Sequence, residues 1–101
     1  MSSFDDVLEL IKITYSQNEI GDNVESKEYK EIFGKRKSIK QSEFYQAQAS
    51  GFKPEFKFEI NSFEYEDETQ ARYNNKEYKI IRTYEVSVDK LEIILEGAVN
   101  G

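Results

Sequence analysis

Residues 42–60, SEFYQAQASGFKPEFKFEI, decide how this chain folds, because the hydrophobic period changes inside them from helical to strand-like. Ser42 is read as a helix cap, its hydroxyl accepting from an unpaired first-turn amide, and Gly51 and Pro54 end the helix. The predicted helix covers residues 42–50. Its apolar contacts are Phe44, Tyr45, Ala47 and Ala49, too few for a helix of that length to persist alone in water. From Pro54 the period becomes two: Phe56, Phe58 and Ile60 alternate with Glu55, Lys57 and Glu59, as in a strand with one dry and one wet face.

Upstream, residues 7–17 (VLELIKITYSQ) read as a strand in which neither parity is cleanly apolar, so a bulge or burial on both faces is expected. A helix around residues 4–10 is the rival reading for this short apolar run. Residues 18–26, rich in Gly, Asp, Asn and Ser, read as a mobile loop. A second strand follows over residues 27–39, with Gly34 marking a bulge or a bend.

Downstream, Phe63 and Tyr65 are read as extending the Pro54 strand past a bend at Asn61, and the chain reverses at Glu66, Asp67 and Glu68. Asn74 and Asn75 suit a two-residue primed turn between strands at 70–73 and 76–86. Another reversal near Val88 to Lys90 precedes a last strand, in which Leu91, Ile93 and Leu95 alternate with Glu92, Ile94 and Glu96. Residues 1–5 and 97–101 are expected to fray. The fold class predicted is all-β: a single domain, a small antiparallel β-barrel of about five to six strands with one short helix. Barrel closure removes the exposed edges of an open sheet.

The 101 residues suffice for one core. Cysteine and histidine are absent, which excludes disulfide stapling and, within this chain, thiolate or imidazole nucleophiles and His-ligated zinc or iron. No catalytic residue, cofactor or metal is therefore predicted, and the chain is not read as an enzyme. The net charge of −6 disfavours nonspecific nucleic-acid binding. Neither a basic leader nor a long apolar run is seen, so no membrane association is expected.

Five candidate chemistries stand beside plainer roles. Glu64, Glu66, Asp67 and Glu68 offer oxygen ligands for a hard cation, but lack the spacing of a calcium loop and read better as a solvated hairpin tip. Lys35, Arg36, Lys37 and Lys40, with Phe33, Ile39, Phe44 and Tyr45 nearby, form the one dense basic cluster. It is a candidate nucleic-acid or ring contact, although strand parity sends Lys35 and Lys37 one way and Arg36 the other, and a lysine-protected edge is the plainer role. The Asp5–Asp6 carboxylates lack a pocket that would split their pKa values. The stripe Phe56, Phe58, Ile60 reads as core rather than ligand cavity, and Gly34 and Gly51 make no phosphate-cradling loop.

Three phrases carry a resemblance: IKQSEFYQAQA from Ile39, GFKPEFKFEI from Gly51, and YNNKEYKIIRTY from Tyr73. Together, over residues 8–99, they resemble the head-tail joining family of tailed phages, the head-completion, stopper and adaptor proteins. SEFYQAQ is the more specific phrase; the Asn-Asn hairpin occurs in many β-proteins. The resemblance implies a structural virion subunit, present in the host cytoplasm during assembly. It implies a β-barrel that forms a homo-oligomeric ring, typically dodecameric, beneath the portal and adaptor rings, binds tail proteins, and retains or gates packaged DNA. In stopper-type relatives the segment before the Pro-led strand projects into the channel. The matching positions here are residues 41–53, with Gln41, Ser42, Glu43, Phe44, Tyr45, Gln46, Gln48, Gly51 and Lys53 as the channel or assembly segment. The alternative from the residues alone is a barrel that binds single-stranded nucleic acid through the basic cluster.

Overall fold

The computed structural model describes residues 6–98; the fraying expected of residues 1–5 and 99–101, with Phe4 and Asp5, lies outside them, whereas Gly97 and Ala98, also expected to fray, continue the last strand. Six antiparallel strands form one sheet that closes on itself: β1 (Asp6–Gln17), β2 (Asn23–Lys37), β3 (Pro54–Asn61), β4 (Gln70–Tyr73), β5 (Lys76–Glu85) and β6 (Lys90–Ala98). Around the barrel their order is β1-β2-β3-β6-β5-β4. One helix, α1 (Gln41–Ala49), joins β2 to β3.

Alternation places the core where the sequence indicates. Leu8 and Leu10 of β1, Ile32 of β2, Phe58 and Ile60 of β3, Ala71 and Tyr73 of β4, Tyr78 of β5, and Leu91, Ile93 and Leu95 of β6 form one buried cluster. Phe58 sits at its centre with no exposed surface, and packs edge-on to Tyr73 at 4.9 Å between ring centres. Gly34 contributes by having no side chain: a Cβ there would lie 3.0 Å from Leu8 Cδ2 and 3.3 Å from Ile60 Cγ2. At that point β2 parts from β1, whose last partner is Asp6↔Gly34, and takes up β3 at Lys35↔Glu59. Gly34 is thus the bend of the expected pair, and the β1–β2 register runs through without a bulge.

The mixed parity of β1 resolves as burial on both faces. Leu8 and Leu10 point inward, while Ile11, of opposite parity, is also fully buried. It lies in register with Tyr29 and Gln70, its neighbours on either side. The helical reading of residues 4–10 is overturned for Asp6 to Leu10, which are strand.

Three expectations are corrected. The loop predicted over residues 18–26 shrinks to residues 18–22, because β2 begins at Asn23 and the strand pairing reaches Gln17↔Asn23. Asn18 makes so short a link possible: its Oδ1 accepts the amides of Ile20 at 3.1 Å and Asp22 at 2.9 Å, and Gly21 takes φ +87°. Phe63 and Tyr65 do not continue β3; residues Ser62–Glu64 form a 3₁₀ turn. Ser42 is inside the helix, one residue past its start, and Lys40 occupies the cap position. The Asn74–Asn75 turn is as read, with φ of 52° and 64° at the two residues.

The longest dimension, 52 Å against 30 and 25 Å, comes from β1 and β2. β1 pairs with β4 only over Glu9, Leu10 and Ile11, and β2 pairs with β3 only over Lys35, Arg36 and Lys37. Residues 12–28 therefore extend past the other strands as a two-stranded arm, exposed on both faces from Thr14 to Glu28.

Candidate functional site

The segment singled out in the sequence, residues 41–53, lies across the outer face of β3, β6 and β5. What fixes it is a lysine. Lys57 belongs to the wet parity of β3, yet it is only 3% exposed, because α1 covers it. Its Nζ donates to Glu43 Oε1 at 2.8 Å and lies 3.3 Å from Glu92 Oε1 on β6. Arg82 of β5 reaches Gln46 at 3.3 Å from the same side, and Ala47 is the helix's buried residue.

Glu43 does two things with one carboxylate oxygen. It takes the Lys57 ammonium, and it accepts the backbone N–H of Lys40 at 3.0 Å. The second bond satisfies an orphan donor at the helix start, in the manner of the N3 acid of a capping box. Burial alone raises the Glu43 pKa, but the bonds from Lys57 and Lys40 outweigh it and hold the carboxyl below its ordinary value. Burial likewise pulls Lys57 down, and the two carboxylates more than offset it, leaving the ammonium above its ordinary value. The other end of the helix closes with a Schellman motif: the Gly51 amide bonds the Gln48 carbonyl at 2.9 Å and the Phe52 amide bonds the Ala47 carbonyl at 2.8 Å, with Gly51 at φ +87°.

Outside these anchors the segment faces solvent. Gln41, Ser42, Tyr45, Gln46, Gln48, Gly51 and Lys53 are exposed, and the Phe44 and Tyr45 rings meet edge-on at 6.3 Å. Phe44 also lines an open groove of about 610 Å³ with Arg36, Lys37, Ser38, Ile39, Pro54 and Glu55. This groove lies at the end of the barrel where β2 finishes and β3 begins.

The basic cluster splits as parity requires. Lys35 and Lys37 lie on the outer face, where Lys37 bridges to Glu59 at 3.5 Å, and Arg36 turns the other way to lie over the Phe56 ring at 4.8 Å. The structure brings Arg36 and Lys37 together with Phe44 in the groove, but does not gather all four cations into one surface.

The acidic group has a structural occupation. Lys30 donates to the Glu64 carbonyl oxygen and lies 3.5 Å from Glu66 and 3.6 Å from Glu68, with Lys12 at 3.7 Å from Glu66. Glu68 is buried rather than part of a solvated tip, and accepts the Glu66 amide at 2.7 Å. No group of three or more potential ligands is placed to hold a metal ion among the described residues, and no helix there is long and apolar enough to cross a membrane.

Two features escaped the sequence. The Glu43–Lys57–Glu92 bridge has no local signal, because Lys57 reads like any outward strand lysine until the helix is placed over it. The arm's local signal was confined to its turn, Asn18 and Gly21, because Val24 is the one apolar residue in the stretch 23–26 that reads as loop and is strand. A second outer network ties the arm's base to the barrel. Arg72 binds Glu9 at 2.6 Å across the β1–β4 seam and stacks over Tyr29 at 4.7 Å, while Tyr29 and Lys27 donate to Glu77 at 2.8 and 3.0 Å.

Neither a family model nor a curated protein matches this sequence. The reading of function therefore rests on the geometry and on the resemblance of the three phrases. The barrel carries exposed apolar and charged side chains at the arm tip and around the groove, and a helix pinned by a buried ion bridge.

Proposed function

We propose that this chain is a structural subunit that joins the head of a tailed phage to its tail, assembling as a ring on the portal and adaptor. The single observation that carries the reading is the arm. A two-stranded ribbon exposed on both faces gains little stability by itself, and it presents free backbone edges and the side chains of Tyr15, Ile20 and Val24 to solvent. Such a ribbon is a template for a partner chain. The acidic net charge suits a conduit for DNA, since a strongly basic lumen would hold phosphates and slow passage. Residues 41–53 are the segment that works at the channel, with Tyr45, Gln48 and Lys53 as its exposed side chains.

The test is direct. Purified protein mixed with portal–adaptor complexes should appear as an added ring by electron microscopy, and absence of binding to every portal assembly tried would reject the proposal. Removing residues 41–53 outright is a poor test of the channel role, because it strips Glu43 from Lys57. Exposed substitutions such as Tyr45→Ala with Lys53→Ala are the better probe, with leakage of packaged DNA as the expected result. Binding to single-stranded oligonucleotides at low salt, falling steeply as salt rises, would favour the alternative instead.

A further inference from the structure

The arm and the groove sit at opposite ends of the molecule and complement each other. From Ile13 to Ser26 the arm carries Glu19, Asp22 and Glu25 and no basic residue. At its tip Ile20 is 81% exposed, held outward by the Asn18 turn. The segment leading into the groove, residues 35–40, carries Lys35, Arg36, Lys37 and Lys40 and no acidic residue. The groove's apolar lining is Ile39, Phe44 and Pro54. Glu55 lines it too, and Glu59 holds Lys37, so the groove is not uniformly basic. Lys35 and Arg36 make no ion pair among the described residues.

The arm cannot reach the groove of its own molecule. β2 starts at the arm's tip and ends at the groove, and its 15 residues span about 46 Å at the usual rise of about 3.3 Å per residue, nearly the full 52 Å length of the protein. A hydrogen-bonded ribbon of that length, joined to the barrel at its base, does not fold back over that distance. We infer that the arm tip of one copy, led by Ile20, docks into the groove between β2, α1 and β3 of a second copy of this chain.

The contact uses different surfaces on the two partners, so it repeats from copy to copy and produces a ring where the rotation closes and a filament where it does not. The choice of a closed ring rests on the function proposed above; the contact itself does not. One tip buries a small area, below that of a standard stable interface, so a single contact is weak and closure, which gives every copy two, is what makes it persist. The groove then has a role distinct from the exposed face of α1: Phe44 serves the neighbour, while Tyr45, Gln48 and Lys53 stay free.

The absence of cysteine gives a clean background for a cross-linking test. Ile20→Cys and Ser38→Cys are made as separate variants, both at exposed positions, and mixed at high concentration under mild oxidation. The mixed disulfide dimer should exceed that from Ile20→Cys with Val88→Cys, an exposed control in another loop, by about tenfold, the ratio that a preference of about 1.4 kcal/mol produces. It should fall with added salt. Glu19→Lys with Asp22→Lys in the tip should abolish the excess, and Arg36→Glu with Lys37→Glu in the partner, the two cations that line the groove, should restore it. Yield equal to the control, or survival of the excess after charge reversal of the tip alone, overturns the inference. Circular dichroism confirms that each variant is folded. Cross-linking without portal binding would leave the inference standing and remove the proposed function; portal binding without cross-linking would do the reverse.

Discussion

Glu43→Ala should destabilise the domain far more than its place on a short surface helix implies. The substitution removes two bonds from one oxygen: the cap on the Lys40 amide and the charge-assisted bond from the buried Lys57 ammonium. Losing a cap costs about 1 kcal/mol, and losing a hydrogen bond to a charged group about 1.5–3 kcal/mol. Glu92 remains 3.3 Å from Lys57 and retains part of the second term, so the expected total is about 2–3 kcal/mol. For a domain of this size that corresponds to a fall in Tm of about 10–20 °C.

The assay is urea denaturation followed by circular dichroism at pH 7, with the midpoint read at constant slope. Ser42→Ala is the internal control. Because Ser42 lies past the cap and its hydroxyl makes no cap bond, the change should stay within about 0.5 kcal/mol. Lys57→Met provides the third corner of a double-mutant cycle. Once the lysine is gone, Glu43→Ala should cost only the cap, about 1 kcal/mol, so the coupling of the two residues should be about 1–2 kcal/mol. A cost for Glu43→Ala within about 0.5 kcal/mol, a larger cost for Ser42→Ala, or strict additivity with Lys57→Met would refute the claim that this carboxylate pins the helix to the barrel.

The same pair predicts how stability follows pH. Glu43, held below its ordinary pKa, contributes fully above the unfolded carboxylate value of about 4.3 and loses the contribution as pH falls through its lower folded pKa. Lys57, held above its own, contributes fully below the unfolded value of about 10.4 and loses it as pH rises through the folded one. Denaturation midpoints of Glu43→Gln should accordingly vary less with acid than those of the wild type. Gly34→Ala should cost about 1–3 kcal/mol by overpacking against Leu8 and Ile60; an unchanged midpoint would mean that the core yields there. Asn75→Gly should be neutral or mildly stabilising and Asn75→Val destabilising, since φ at that residue is 64°. Hydrogen exchange should show weak protection for amides of residues 14–26 and strong protection for those of β6, and equal protection would mean that the arm is not free.

The parts of the fold legible in the sequence were those encoded by alternation and turn chemistry. Phe56, Phe58 and Ile60 in β3 and Leu91, Ile93 and Leu95 in β6 announced a dry face, and Asn74–Asn75 announced a primed turn. What was not legible depended on which strand lay beside which. Ile11 reads as a parity error until β2 and β4 flank it. Ser42 was the better cap by residue type, but a partner for Lys57 three positions beyond Lys40 placed the start of the helix earlier. The loop over residues 18–26 was misread because polar composition outweighed a strand parity carried by few apolar residues. Within residues 41–53, the helix was legible in the sequence but not its anchor or the groove beside it, both of which join residues distant in the chain.

The two seams of the barrel bear on the order in which it forms. β4, β5 and β6 pair through hairpins and β1 with β2 through a tight turn, so these two groups assemble from local contacts, while β3 joins β6 over a longer separation, from Asn61↔Lys90 to Pro54↔Glu96. Closure then depends on two three-residue ladders, one of which joins Glu9 to Arg72 across most of the chain. Contacts of such long separation are made late and set the rate. The barrel is therefore a β1–β2 clasp shut onto a four-stranded body, and the slow step of its folding is the fastening of that clasp.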